Sequence, residues 1–422
     1  MRLLFATVIA IALSAFACGS DDNGGTATLT ASVTAGPSLT PTDVRTPTPT
    51  ASPTPRPAGL GLGVYAIHPD GTGLRLVQQG FVTARLSPVD YRVASGEFCK
   101  SPVTVSVSEL DQGGPVAIAH FDGILRDIEW SPQADQLLVS IISPDHQSNP
   151  MVYLLDPSGV NAPDSLFAGI PVWSPNADRI AYLTYDAGAA TLNLFDLATR
   201  VSTVVDSSAT IDKPIWSPDG SHMAYSRSAS PSGNDPQVVV VDMNGEGRNV
   251  VVDSAYLNRW TAAGTRLVIA PATGEQNQPI AIALVDGSQS PYQIASGSVL
   301  DASADGSLFA IYSHIRQQET QIAILNQPTG ASVVVSGNLT PTGDGVVLSP
   351  DDRQLGFTAG DIVYNSEGQP VSGSDTNPYV VGIDGTALLK LADGAYFRSW
   401  SADGQWAMIQ SNPAVGCDNP FG

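Results

Sequence analysis

Eight times along this chain, an apolar residue and a hydroxyl lead into a polar turn and then a short apolar run. The copies are ARLSPVDYRVASG, IEWSPQADQLLVS, PVWSPNADRIAYL, PIWSPDGSHMAYS, NRWTAAGTRLVIA, LDASADGSLFAIY, VVLSPDDRQLGFT and RSWSADGQWAMIQ. Their hydroxyls are Ser87, Ser131, Ser174, Ser217, Thr261, Ser303, Ser349 and Ser401, so successive anchors fall 44, 43, 43, 44, 42, 46 and 52 residues apart. A period of this size is that of a four-stranded propeller blade. Between the copies lie further β-branched runs, such as MVYLLD, TLNLFDL, QVVVVDM and QIAIL, bounded by Gly, Pro, Asn and Asp. Those boundaries read as turns and the runs as strands.

Ring closure follows from the ends. The last hairpin, Phe397–Ser411, lacks a third and fourth strand, while Gly63–Ile67 and Gly73–Gln78 form an unpartnered pair around the turn HPDGTG. Joined, they complete a blade. The expected fold is an all-β, eight-bladed β-propeller of four-stranded blades over residues 60–422, closed two strands against two, which removes the sheet edges that would otherwise pair with other chains.

The N-terminus predicts export. Arg2 precedes a 15-residue apolar run, Leu3–Ala17, too short to span a bilayer comfortably and of the length of a signal-peptide core. Small residues before Cys18, followed by Gly-Ser-Asp-Asp, resemble a bacterial lipoprotein signal. The resemblance implies removal of residues 1–17 and a lipid on Cys18, placing the protein on the extracytoplasmic face of a membrane. Ala15 stands where that signal usually has Leu, and an ordinary cleavage site beside an unrelated Cys is the alternative. Residues 18–59, with PTPTASPTPRP and almost no large apolar side chain, read as a disordered tether.

With Cys18 lipidated, Cys99 and Cys417 remain. Both follow the second strand of a blade, on one face of neighbouring blades, so an oxidising compartment favours a disulfide across the seam over two free thiols. By loop entropy it contributes roughly 4–5 kcal/mol, less any strain.

The repeats resemble the TolB-like propeller family, whose consensus is Trp-Ser-Pro-Asp-Gly, then Ile-Ala-Tyr, then a loop ending Asn-Pro. Trp216-Ser217-Pro218-Asp219-Gly220, Met223-Ala224-Tyr225, Asn149-Pro150 and Asn377-Pro378 match it. The resemblance covers roughly Leu60–Gln410 and implies the fold. The small α/β domain that precedes the TolB propeller has no counterpart here, and the blade count is higher, so membership of the Tol envelope machinery is not implied.

The residue types that invite a chemical reading are better explained by packing and turns. Trp130, Trp173, Trp216, Trp260 and Trp400 each precede the anchor, and an aromatic at one fixed repeat position is read as inter-blade packing. Asp178, Asp219, Asp305 and Asp403 are spread around a ring, whereas calcium needs six to eight converging oxygens, so they are read as turn caps. His68 and His222 map to the hairpin-turn face and His120, His146 and His314 to the other, where a three-His metal site is the less favoured reading. No GxSxG, P-loop or dinucleotide fingerprint is present. Gly59-Leu60-Gly61-Leu62-Gly63 reads as a hinge, and no catalytic, metal or cofactor-binding residue is assigned. A net charge of −21, from 40 acidic and 19 basic residues, argues against nucleic acid.

The asymmetry that hints at a site is loop length. Ser143–Pro150, Ser228–Pro236, Pro271–Pro279 and Asp361–Pro378 all fall between second and third strands, on one face, and read equally as a binding face or as drift in solvated loops. The expected function is a monomeric, lipid-anchored binding or scaffold module for a protein, glycan or envelope component. The alternative is a metal-assisted polysaccharide lyase or hydrolase using the long-loop face.

Overall fold

The protein is described here from a computed structural model covering residues 60–411, apart from 81, 98–100, 111–113, 144–148, 262–263, 274–276, 317–318, 338, 343–344 and 365–369. Among the described residues every regular element is a strand, and the strands form eight antiparallel sheets. The second blade shows the plan: Ile124–Trp130 innermost, then Leu137–Ile142, Met151–Leu155 and, outermost, Asp164–Ala168. The eighth blade is made from both ends of the ring. Ala395–Trp400 and Ala407–Ser411 are its inner strands, and Gly63–Ile67 and Arg75–Gln79 its outer ones. The expected two-plus-two closure is therefore present. Val64 pairs with Gln410 and Ile67 with Ala407 along the seam. The Gly63 amide donates to Ser411 Oγ at 2.8 Å, and Ser411 Oγ lies 3.1 Å from the Gly63 carbonyl oxygen.

Two local expectations are corrected, and one strand is interrupted. The outermost strand of the closing blade starts at Arg75 rather than Gly73, because Gly73 lies at φ +70 within a turn held by the His68 amide on the Thr72 carbonyl. The innermost strand of the fourth blade is broken into Thr210–Ile211 and Ile215–Trp216, since Pro214 has no N–H to give to the ladder. Asp361–Pro378 is largely not a loop. Gln354–Tyr364 and Pro370–Gly382 continue their pairing through Ile362↔Ser372, Val363↔Val371 and Tyr364↔Pro370, so a β-hairpin arm projects from the seventh blade.

The core is a ring of eight apolar layers, one between each pair of neighbouring blades. The fourth blade shows how sequence makes two of them at once. Met223, Tyr225, Val239 and Val241 pack on the third blade, while Ala224, Val238 and Val240 pack on the fifth. Successive side chains of a strand point to opposite sides, so a strand covered on both faces is apolar at every position.

The repeated Trp serves this packing, as its fixed position suggests. All five are 7–8% exposed. In three of them the indole N–H also donates to the innermost strand of the preceding blade: Trp130 to the Arg85 carbonyl at 2.9 Å, Trp260 to Ile215 at 2.8 Å and Trp400 to Val347 at 2.9 Å. The indole nitrogens of Trp173 and Trp216 are buried without such a partner. Replacing Trp400 by Phe is therefore expected to cost about 1 kcal/mol more than replacing Trp173 by Phe, because only the first change deletes a hydrogen bond. Denaturant midpoints of the two variants measure the difference.

Candidate binding face

On one face of the ring lie the turns between first and second and between third and fourth strands. The anchor hydroxyl organises the first kind. Ser217 Oγ donates to Asp219 at 2.6 Å and accepts the His222 amide at 2.9 Å. Ser131, Ser174, Ser303, Ser349 and Ser401 likewise donate to Asp135, Asp178, Asp305, Asp351 and Asp403, at 2.6–2.8 Å. The turn aspartates, Asp178, Asp219, Asp305 and Asp403 among them, are thus caps, as their chemistry suggests. Hydrogen bonds from Ser217 and Ser221 lower the Asp219 carboxyl to about 2, and those from Ser303 and Ser307 do the same for Asp305. A second ring of aspartates caps the outer turns: Asp70 holds Thr72, Asp156 Ser158, Asp196 Thr199, Asp242 Asn244, Asp286 Ser288 and Asp384 Thr386. This face therefore carries two concentric rings of carboxylates, and much of the chain's negative charge resides there.

The opposite face carries the long loops, and two of them are tied to the next blade by the Asn near their ends. Asn149 Oδ1 accepts the Tyr185 amide at 2.8 Å while its Nδ2 donates to the Tyr185 carbonyl at 2.9 Å. Asn277 grips the backbone of His314 in the same way, at 2.9 and 2.8 Å. The side-chain amide mimics one residue of a strand, which explains why Asn suits a loop end. The Ser228–Pro236 loop is folded on itself through Ser228 and Asp235, and Tyr256 Oη donates to its Gly233 carbonyl at 3.0 Å.

The innermost strands surround the axis, and their charged side chains are largely paired. Arg85 meets Asp127 at 2.7 Å, Lys213 of the fourth blade reaches Glu129 of the second at 2.9 Å, and Arg259 meets Asp301 at 2.9 Å. Nearer the long-loop face, one register position differs from blade to blade. Four residues before the repeated Trp stand Arg126, Gly169, Asp212, Tyr256 and Tyr396 in blades two, three, four, five and eight. Arg126 sits at a β-bulge, a device that re-aims a side chain at a strand edge. The third blade, with glycine at this position, contributes Tyr185 from the end of its second strand. Tyr185 and Tyr256 are 40% and 38% exposed, large for aromatic side chains in this fold.

These groups share one electrostatic neighbourhood. Asp212 is exposed, but the blades around it withhold full hydration, and this desolvation pushes its carboxyl above its ordinary value against a hydrogen bond from Ser226. Burial and then the Asp212 charge raise the Tyr185 hydroxyl, with the Arg126 charge acting the other way. Burial and Asp212 also raise Tyr256. The mouth thus presents two aromatic rings, one carboxyl and one guanidinium on a rigid frame, a set suited to stacking and polar contact. None of these four was singled out from sequence. The signal was the register position itself, visible once the repeats are aligned on Trp.

The histidines are not brought together. His68 and His222 lie on the hairpin-turn face, His222 with Nδ1 2.7 Å from Ser221 Oγ. His120 is on the outermost strand of the first blade, 3.0 Å from Thr104 Oγ1, whereas His314 is near the end of the second strand of the sixth, edge-on to Tyr312. His146 lies outside the described residues, as do Cys18, Cys99, Cys417 and the whole of residues 1–59. Among the described residues no group of three or more His, Cys, Asp or Glu side chains is placed to hold a metal ion.

No family model and no curated protein matches the chain. Solved structures do. An oligogalacturonate lyase in complex with manganese is 15% identical over 84% of this chain and 97% of its own, with a TM-score of 0.53. A prolyl endopeptidase is 12% identical over 79% of this chain and 50% of its own, also at 0.53. TolB from Acinetobacter baumannii is 14% identical over 78% of this chain and 79% of its own, with a TM-score of 0.41. At these identities the first two likenesses are of fold alone.

Two outcomes test the structural roles assigned here. Because the Asp219 and Asp305 values are depressed by folding, their contribution is present above the ordinary Asp value near 4 and is lost as pH falls toward about 2. The Asp219→Asn, Asp305→Asn double variant is expected to show a flatter fall in urea midpoint over that window than the parent. Asn149→Ala removes two hydrogen bonds close to solvent and is expected to cost about 1 kcal/mol, read from the same midpoints.

Proposed function

We propose that this protein is an exported, lipid-anchored binding or scaffold module that engages a protein, glycan or envelope component at the channel mouth of its long-loop face. The observation that carries this reading is the mouth itself: half-exposed Tyr185 and Tyr256 beside Asp212 and Arg126, delivered by four different blades. Rigid elements presenting a few blade-specific side chains are what recognition uses, whereas catalysis needs reacting groups held in mutual contact. The Trp-Ser-Pro-Asp-Gly hairpin, with its Ser–Asp cap, supports placing the repeats among the TolB-like propellers.

Export and anchoring rest on the apolar Leu3–Ala17 run and Cys18. The Cys99–Cys417 disulfide remains part of the reading. Its support is that the strands just before the two cysteines, ending at Glu97 and Ser411, are second strands of neighbouring blades and end on one face.

The second reading, a metal-assisted polysaccharide lyase or hydrolase on the same face, draws on the fold shared with oligogalacturonate lyase. The described residues gather no three metal ligands, so no catalytic step is derived for it.

The Cys18→Ser protein is expected to leave the membrane fraction, and membrane association that survives the change refutes the lipid anchor. The soluble propeller is expected to capture a component of cell-envelope extract that the Tyr185→Ala, Tyr256→Ala double variant fails to capture. Equal capture by both refutes the mouth as the site. A stoichiometric transition metal in chelator-free protein favours the lyase reading instead.

A further inference from the structure

A second concave feature lies on the opposite, hairpin-turn face, and nothing in the mouth depends on it. Between the seventh and eighth blades is a cleft of about 670 Å³ whose lining includes His68, Asp70, Gln354, Gln405, Val380 and Leu389. It continues into a shallower cleft of about 540 Å³ bounded by Asp351, Arg353 and Asp384. Gln354 and Ala387 line both, so the two form one elongated groove.

Three observations define what this groove recognises. The first is the state of its polar groups. His68 Nδ1 lies 2.9 Å from the Gln405 carbonyl, which only accepts, so Nδ1 carries a proton and donates it there. The ring is fixed by Trp406, with centroids 3.7 Å apart, and by Gly73, where an added Cβ would lie 2.5 Å from His68 Cδ2. The side-chain amides of Gln354 and Gln405 form no hydrogen bond within the described residues, and each offers one donor pair and one acceptor. Such groups match the alternating N–H and C=O of an extended main chain. The second is the floor, where Ala387 and Leu389, backed by the buried Val380, give apolar area suited to an aliphatic side chain. The third is charge. Asp70, Asp351 and Asp384 bound the groove against one arginine, and they belong to the two rings of turn aspartates that make this whole face acidic.

We propose that the groove between the seventh and eighth blades is a second binding site, which takes a linear, basic segment of a partner protein. The segment lies extended along the groove, its backbone on the Gln354 and Gln405 amides, an aliphatic side chain on the Ala387–Leu389 floor and a Lys or Arg side chain beside Asp70. The groove joins the N-terminal strand pair to the seventh blade, so a segment seated there also braces the closing blade.

The test uses the folded, full-length protein and a fluorescein-labelled hexapeptide alternating Lys and Val, followed by fluorescence anisotropy. Controls are the Glu–Val counterpart and a neutral hexasaccharide. Saturable binding of the Lys–Val peptide that weakens with added salt is expected. Ala387→Arg places a cation at the exposed junction of the two clefts and is expected to weaken binding about tenfold or more, since like charges in contact oppose association strongly. Asp70→Asn is expected to weaken it about two- to fivefold, the range of one exposed ion pair. The Tyr185→Ala, Tyr256→Ala variant is expected to bind the peptide unchanged, which separates failure of this site from failure of the mouth. The proposal is overturned by absence of saturable binding, by equal binding of the Glu–Val peptide or the hexasaccharide, or by undiminished binding in an Ala387→Arg protein that melts like the parent.

Discussion

Everything in this molecule depends on the apolar layer between neighbouring blades. A four-stranded sheet covered on both faces cannot be stable alone, so each blade requires two neighbours, and a linear array would leave two bare faces. Closing the ring removes them. The closing blade is accordingly where the chain's two ends meet, with Tyr65, Ile67, Phe397 and Ile409 in the layer facing the seventh blade and Val64, Ala66 and Met408 in the layer facing the first. The same requirement fixes composition along each strand. A run such as Val238–Val241 has no polar alternation because both of its faces are spoken for.

That constraint is why the fold was legible. Packing imposes the same residue types at the same register in every blade, so it writes itself into the sequence eight times. Trp216 and its counterparts, the Ser217 hydroxyl with its Asp219 cap, and the apolar second and third strands are all products of repetition. The two-plus-two closure was readable for the complementary reason: a hairpin without outer strands at one end and a strand pair without a hairpin at the other can only be partners. What misled was local. Asp361–Pro378 contains Gly, Ser, Asn and Asp in the proportions of a loop, yet most of it pairs as strand, because two chains leaving one blade side by side continue the ladder when nothing terminates it.

The candidate site was illegible by the same logic. Recognition needs blades to differ, and a residue that differs from its counterparts carries no repeat signal. Arg126, Asp212 and Tyr256 occupy one register position with three unlike chemistries, so none of them stands out alone. Tyr185 is harder still, being the end of a strand whose importance depends on the glycine its own blade places at that position. The Asn149 clasp lies between these extremes. Its Asn-Pro context is part of the repeat, but the sequence does not say that the amide grips the next blade rather than a ligand.

Charge follows architecture to a different end on each face. The described inner strands carry Arg85, Arg126, Lys213, Arg259 and Arg398 against Asp127, Glu129, Asp212 and Asp301, close to neutral in a chain of net charge −21. Near the axis carboxylates would crowd one another from all sides in a confined space, and pairing with Arg and Lys relieves that repulsion. The turns of the other face have no such crowding, and there Asp is the residue that caps. Hydrogen bonds from Ser and Thr hold carboxylates such as Asp219 and Asp305 below their ordinary values, so the negative charge of that face persists into acid. Turn chemistry selected for folding thereby gives one face an electrostatic character that a basic partner can read, while the site proposed on the other face, nearly neutral at its centre, depends on shape and on the few side chains that break the repeat.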